Sequence, residues 1–214
     1  MKYFSKHLLA QEHFLFGNHK SFSKMELADF KLVVDVHLMG AVNCCKAVWD
    51  IMRAQKYGRI VNTTSSSGLF GNFGQSNYGA AKMALVGLMQ TLSIEGAKDD
   101  VRVNCLAPTA ATAMTEGLMP QAILDKLAPG AVTPGLLYLV CEDAPTRVIL
   151  IAGAGTFARS YVTMTHGTHI GNGADADDQV AAQFEAISDR DEEVVPQSGS
   201  EQGRNEVGQA MAAG

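Results

Sequence analysis

The sequence has few cysteines and few charged residues, and both shortages narrow the classes of protein to which it can belong. Its four cysteines, at positions 44, 45, 105 and 141, form no CxxC pair and no spacing typical of a metal site. We therefore expect free thiols in a reducing, cytoplasmic compartment and no metal. Only 18% of the 214 residues are charged and the net charge is −5, which disfavours nucleic acid or an anionic membrane as the main partner.

Two kinds of segment are also missing. No apolar run reaches the roughly 18 residues of a membrane span, so the sequence predicts no membrane-crossing helix. No glycine-rich strand–turn–helix comes early in the chain, so the phosphates of a dinucleotide have no evident cradle. The hydrophobic content of 47% nevertheless predicts a globular chain with a buried core.

Hydrophobic periodicity predicts an alternation of helices and strands through the middle of the chain. Predicted helices cover 26–54, 75–97 and 131–142, and predicted strands cover 58–64, 101–107 and 147–152. Because these strands are apolar throughout, we expect an α/β fold, a doubly wound parallel sheet with helices on both faces. Active sites of such sheets lie beyond the carboxyl ends of the strands.

The C-terminal region differs in composition from the rest. Residues 172–214 are first acidic and then rich in glycine, serine and glutamine. We predict a short helix over 175–187 and a disordered tail after Pro196. The predicted organisation is one domain over 1–171 followed by the acidic segment.

Three residues supply groups suited to proton transfer. Tyr78 and Lys82 are four apart in a predicted helix, so their side chains share a face. An ammonium beside the phenol would lower the pKa of Tyr78 from about 10, so that Tyr78 could exchange a proton with an alcohol or ketone. Ser65 follows a strand and could hydrogen-bond the substrate oxygen, while a nicotinamide would carry the hydride. The alternative is a surface helix with an exposed lysine.

A longer stretch around these residues resembles a known family. GRIVNTTSSSGLFGNFGQSNYGAAK, followed by VRVNCLAPT, is similar to the catalytic half of short-chain dehydrogenases/reductases, with a serine thirteen residues before the tyrosine. The segments DVHLMGA, NFGQSNY and IAGAG further resemble the (3R)-hydroxyacyl-CoA dehydrogenase domains of type 2 peroxisomal multifunctional enzymes and their bacterial relatives. The resemblance runs from about residue 20 to about residue 160 and implies a Rossmann-like fold.

The resemblance implies a role for four residues of the site. Ser65 would orient the substrate oxygen, and Tyr78 would be the general acid and base. Lys82 would bind the nicotinamide ribose and tune Tyr78. His37 stands where the family has a helix asparagine, as it does in the resembled subgroup; the alternative is a packed helix histidine.

The resemblance also implies residues on the cofactor side. Pro108 ends a strand, and Thr112 lies where a hydroxyl meets the nicotinamide carboxamide; the alternative for Thr112 is an ordinary loop threonine. We interpret Gly153 and Gly155 as a turn rather than a phosphate site.

The family's first strands and its glycine-rich turn have no counterpart in the sequence, so the chain resembles an N-terminally truncated member and NAD cannot be told from NADP. Three hypotheses follow. The chain is an NAD(P)-dependent oxidoreductase of 3-hydroxyacyl-CoA or a similar small molecule, or a non-catalytic fragment that forms homo-oligomers through the helices at 26–54 and 75–97. The third hypothesis is a module that binds acyl-CoA or another apolar ligand.

Overall fold

A computed structural model describes residues 20–111 and 120–214 of the chain. The described residues fall into two compact units, one that ends at Ser160 and one that spans Tyr161–Gly214. The domain boundary expected near residue 171 stays a prediction.

The first unit alternates helices and strands much as the periodicity predicts. Its main elements are α1 (Leu27–Ala54), β1 (Gly58–Thr63), α2 (Ser66–Phe70), α3 (Ser76–Gly96), β2 (Val101–Thr109), α4 (Gln121–Leu124), α5 (Thr133–Val140), β3 (Ile149–Gly153) and β4 (Thr156–Ser160).

The four strands form one sheet in the order β1-β2-β3-β4. β1 is parallel to β2, with Ile60 opposite Val103, and β2 is parallel to β3, with Cys105 opposite Ile149. Helices cover both faces of this sheet, so the predicted doubly wound α/β architecture is confirmed.

Side chains that alternate along β2 belong to two separate hydrophobic clusters. Val103 and Cys105 pack with Trp49 of α1 and Met89 of α3, whereas Leu106 packs in a second cluster that includes Leu139 of α5. Successive residues of a strand point to opposite faces, and both faces are covered here. This double burial explains why the strands have no polar alternation.

The prediction of a purely parallel sheet is wrong at one edge, because β4 is antiparallel to β3. The two strands are joined by two residues, Ala154 and Gly155, which have φ angles of 51° and 74°. Positive φ at both positions is typical of a type I′ hairpin turn. The interpretation of Gly155 as a turn residue is therefore confirmed, whereas Gly153 is the last residue of β3. The strand after the turn was missed.

The prediction that Pro108 ends β2 is also wrong, because the strand continues to Thr109. Residues of a parallel strand direct their N–H and C=O groups alternately to the two sides. Leu106 accepts a bond from Thr64 on the β1 side, so Pro108 faces the same side, beyond the last residue of β1. Proline has no N–H to donate, and β1 has no residue opposite Pro108 that would accept one. Proline is therefore tolerated at this position.

Helix α1 contains a π-helical turn over Asp35–Met39. The helix buries Val33, Cys45 and Trp49 but exposes much of its remaining apolar surface. By length and composition it could also cross a membrane, with a mean hydropathy of 1.3 over its most apolar stretch. The sequence was expected to contain no helix that could cross a membrane, whereas α1 is long and apolar enough to do so. Core helices of soluble proteins can have the same length and composition. The expectation of no membrane partner stays a prediction.

The second unit is helical, with α6 (Ala176–Ala182), α7 (Phe184–Ile187) and α8 (Ser200–Ala212). The first two helices lie within the helix predicted over 175–187. The predicted disordered tail is wrong, because α8 occupies most of it. In α8, the side chains of Asn205 and Gln209 both donate to the backbone oxygen of His166, at 2.9 and 2.6 Å. These long-range bonds hold a polar helix that composition alone does not favour.

Candidate active site

The candidate site lies where β1 ends and the chain turns into α2. Ser65 is extended and caps α2, since its Oγ accepts a hydrogen bond from the backbone N–H of Ser67 at 3.2 Å. Serine is a favoured N-cap because its oxygen satisfies one of the free N–H groups of the first turn. The serine hydroxyl is thereby held at the rim of the sheet.

Tyr78 lies in the first turn of α3, and its side chain forms a hydrogen bond with that of Ser65. The contact depends on a very close approach of α2 and α3. A Cβ atom added to Gly68 would lie 2.8 Å from the backbone nitrogen of Met83, and one added to Gly79 would lie 2.9 Å from the oxygen of Ser67. Only glycine fits at these two positions.

Lys82 follows Tyr78 by one helical turn and is 8% exposed. Its Nζ donates to the backbone oxygen of Thr63 at 2.9 Å, and it lies 5.5 Å from the centroid of the Tyr78 ring. The hydroxyl of Thr64 donates to the backbone oxygen of Lys82 at 2.7 Å, which ties α3 to the end of β1. The alternative of a surface lysine does not describe this buried group.

His37 is presented to the site by the π-helical turn of α1. Its ring meets that of Tyr78 edge to face, with centroids 5.1 Å apart and planes at 85°. Burial, and secondarily the charge of Lys82, lowers the pKa of His37 to about 4. The imidazole is therefore neutral near pH 7, and π-helical turns are frequent at functional sites.

The titration behaviour of Tyr78 differs from the expectation. Burial raises the pKa of the phenol above its usual value, and the hydrogen bond with Ser65 opposes that rise. The expected lowering by Lys82 is wrong, because the ammonium bonds to a backbone oxygen instead of the phenol. Burial lowers the pKa of Lys82 itself to about 8. Tyr78 is thus a protonated phenol near neutral pH, the form that donates a proton.

The two residues expected on the cofactor side are placed differently. Pro108 is half-buried near the end of strand β2, paired with Ala152 of β3, at the carboxyl edge of the sheet. Thr112 lies outside the described residues, so its expected contact stays a prediction.

The described residues fit part of a nicotinamide dinucleotide. Lys82 and Tyr78 share one face of α3, and the ammonium keeps two N–H groups beyond its bond to Thr63, as a ribose would require. Within residues 20–111 and 120–214, however, no strand leads through a glycine-rich turn into a helix that could hold the pyrophosphate.

Sequence reasoning missed the groups that hold the site together. The backbone oxygen of Thr63 and the hydroxyl of Thr64 position Lys82, and the two glycines bring the helices into contact. The glycine that follows Tyr78 and the glycine three positions after Ser65 are the signals in the sequence that could have pointed to this contact.

Comparison with known proteins identifies the family. Residues 16–122 match the family model described as short chain dehydrogenase. A short-chain type dehydrogenase/reductase of Mycobacterium tuberculosis is 43% identical over 170 residues, which are 79% of this chain and 59% of that protein. The peroxisomal hydratase-dehydrogenase-epimerase of Saccharomyces cerevisiae is 50% identical over 140 residues, 65% of this chain and 16% of that protein.

A solved structure agrees with these sequence matches. The full-length peroxisomal multifunctional enzyme type 2 of Drosophila melanogaster has a TM-score of 0.77 at 32% identity, over 88% of this chain and 35% of that one. The chain thus spans well under two thirds of the yeast and fly relatives and 59% of the mycobacterial one. The family match, the fold and the placement of Ser65, Tyr78 and Lys82 agree, and the chain belongs to the short-chain dehydrogenase family.

Proposed function

We propose that the chain carries the acid–base half of an NAD(P)-dependent oxidoreductase that acts on a 3-hydroxyacyl-CoA or a similar hydroxy or keto compound. The observation that carries the proposal is the hydrogen bond between Ser65 and Tyr78, with Lys82 one turn along the same helix. Relatives named 3-oxoacyl-[acyl-carrier-protein] reductase and acetoacetyl-CoA reductase support the substrate class. The choice between NAD and NADP is left open.

The proposed chemistry divides between the protein and the nucleotide. The nicotinamide supplies or accepts the hydride when it is bound. The chain's own residues handle the oxygen of the substrate: Ser65 donates a hydrogen bond to it, and Tyr78 gives or takes its proton. In the reductive direction the protonated phenol is ready to donate, which matches its raised pKa.

Lys82 and His37 support the tyrosine in this proposal. Lys82 would hold the ribose with the N–H groups that do not bond to Thr63, and would stabilise a phenolate through its charge. The neutral ring of His37 restricts the tyrosine ring by packing against its edge. Each role uses a group that already has a defined position.

The experiment is a comparison of wild type with Tyr78→Phe, which removes one oxygen. With a 3-hydroxyacyl-CoA and NAD or NADP, we expect the rate of nicotinamide reduction to fall by about 10²- to 10⁴-fold, the usual contribution of a positioned acid or base. Tyr138→Phe is the matched control, because Tyr138 is 56% exposed on α5. Equal rates for wild type and Tyr78→Phe would refute the proposal.

A second candidate function is assembly with another copy of the chain. Helices α1 and α3 expose apolar side chains, among them Leu27 at 80%, Ile51 at 64% and Ile94 at 51%. Large exposed apolar surfaces mark interaction sites. We infer a homo-oligomer through the helices at 26–54 and 75–97, a role that a chain without catalytic activity could also fill.

A further inference from the structure

A short chain of hydrogen bonds joins Ser65 to the beginning of α3. The backbone N–H of Ser67 donates to Oγ of Ser65 at 3.2 Å, and the hydroxyl of Ser67 donates to Oε1 of Gln75 at 2.6 Å. The backbone oxygen of Gln75 in turn accepts from the N–H of Gly79, the residue after Tyr78, at 2.7 Å. The chain of bonds therefore begins at one residue of the Ser65–Tyr78 pair and ends beside the other.

Ser67 is the centre of this arrangement. It is only 6% exposed, and its hydroxyl both donates to Gln75 and accepts from Nδ2 of Asn72, the latter at 2.8 Å. A buried hydroxyl that has a donor and an acceptor partner is held in one orientation. Ser67 therefore forms a fixed link between α2 and the turn that leads into α3.

Gln75 occupies the position at which a helix is usually capped, but its side chain does not cap α3. It makes no hydrogen bond to the first turn of the helix and instead reaches Ser67 on α2. Serine, threonine, aspartate and asparagine are the favoured residues at an N-cap. The stability of α3 therefore does not explain a glutamine here, whereas the bond to Ser67 does.

The bond from Ser67 also affects the hydroxyl of Ser65. A hydroxyl that accepts a hydrogen bond is polarised and becomes a better donor. Because the N–H of Ser67 occupies one lone pair of Oγ, the proton of that hydroxyl is left for Tyr78 or for a substrate oxygen. We propose that Ser67 and Gln75 are positioning residues, which fix the separation and orientation of the catalytic serine and tyrosine. The inference rests on the proposed function for the reaction, but the geometry can be measured without turnover.

The phenol of Tyr78 gives a direct readout by NMR of protein that carries tyrosine isotope-labelled at Cζ. Tyr78→Phe identifies its signal among those of the five tyrosines, and Ser65→Ala gives the reference shift of Tyr78 without its partner. We expect Ser67→Ala and Gln75→Ser to move the Tyr78 signal towards that reference shift. Ser66→Ala is the matched control, because Ser66 is exposed on the same helix and outside the chain of bonds, and it should leave the signal unchanged.

The choice of serine at position 75 separates positioning from folding. Gln75→Ser supplies a favoured cap at the beginning of α3, so the helix is retained although the bond to Ser67 is lost. A cooperative thermal transition shows that each variant is folded. A purely structural role for Gln75 predicts that this variant behaves like wild type, whereas a positioning role predicts a displaced Tyr78 signal.

Turnover gives the second readout. With a 3-hydroxyacyl-CoA and NAD or NADP, Ser67→Ala and Gln75→Ser should lower kcat and kcat/KM together by about 10- to 100-fold, with KM unchanged. The reason is that a displaced Ser65 weakens the stabilisation of the transition state rather than the binding of the substrate. Ser66→Ala should have the kinetic constants of wild type.

Two results would overturn the proposal. The first is an unchanged Tyr78 signal in both Ser67→Ala and Gln75→Ser. The second is a wild-type signal in Ser65→Ala, because there would then be no bond for the other residues to position. If the Tyr78 signal moves as expected but wild type reduces no nicotinamide, the positioning role stands and the proposed function fails.

Discussion

Individual side chains in the site have environments that oppose their charged forms. Burial disfavours the charged forms of both Tyr78 and Lys82, which raises the pKa of the phenol and lowers that of the ammonium. Neither group neutralises the other directly, because the ammonium bonds to Thr63. The site as described therefore favours proton donation to a ketone over removal of a proton from an alcohol.

His37 provides a prediction at this scale. Its pKa is about 4 in the folded chain and 6.5 as its usual value, so between these values the unfolded chain binds a proton that the folded chain does not. Stability should therefore fall as pH decreases from about 6.5 towards 4, and should be unaffected by this group above 6.5. Urea unfolding of wild type and His37→Asn at pH 7.5 and pH 5 measures the effect.

The expected result is a larger loss of stability on acidification in wild type than in His37→Asn. His166→Asn, at an exposed position, should behave like wild type. If acidification destabilises wild type and His37→Asn equally, the buried neutral imidazole does not contribute.

At the scale of elements, the site depends on the contact between α2 and α3. The two helices meet through Gly68 and Gly79, whose missing side chains allow backbone contact. The bond between Ser65 and Tyr78 spans these two helices. Any change in the separation of α2 and α3 would therefore change the distance between Ser65 and Tyr78.

We predict opposite effects of alanine at two glycines of α3. Gly79→Ala places a Cβ atom 2.9 Å from the oxygen of Ser67, which should cost about 1–3 kcal/mol and outweigh the gain in helix propensity. Gly87→Ala meets no atom within 4 Å and should stabilise the chain by about 0.8–1 kcal/mol. Thermal unfolding distinguishes the two.

Catalytic activity should fall in Gly79→Ala and stay unchanged in Gly87→Ala, because only Gly79→Ala separates Ser65 from Tyr78. A Gly79→Ala variant as stable and as active as Gly87→Ala would show that the close approach is not needed.

For the whole molecule, the exposed apolar surface of α1 and α3 is the dominant feature. Most of α1 is not buried, with only 17% of its most apolar stretch inside the described structure. A surface of this kind is usually covered by another part of a protein or by a partner. The proposed oligomer supplies such a cover.

We predict that wild type is a dimer or larger at micromolar concentration and that Ile94→Glu on α3 shifts it towards monomer. A buried unpaired carboxylate is strongly unfavourable in an interface. Ile123→Glu is the control, because Ile123 is 47% exposed on α4, outside both helices. Sedimentation velocity at several concentrations gives the masses; a strict monomer for wild type would exclude the interface.

The sequence alone determined the positions of most helices and strands in the first unit, because strands buried on both faces read as apolar runs and α1 and α3 are long and strongly apolar. It also predicted which side chains share the site, since Tyr78 and Lys82 are one helical turn apart. Local patterns could not show α8, whose bonds join residues such as Asn205 and His166 that are far apart in the chain. The antiparallel β4 was missed because its five residues, TFARS, are almost all exposed and form no apolar run.

Tertiary structure alone decided the electrostatics. The direction in which the pKa of Tyr78 moves depends on how deeply it is buried and on where the Lys82 ammonium points, and a spacing of four residues specifies neither. Burial of the Asn62 amide, whose Nδ2 has no hydrogen-bond partner among the described residues, likewise exists only once strands and helices have packed. Proximity and desolvation are properties of the folded chain, and for that reason the sequence shows the groups while the fold sets their chemistry.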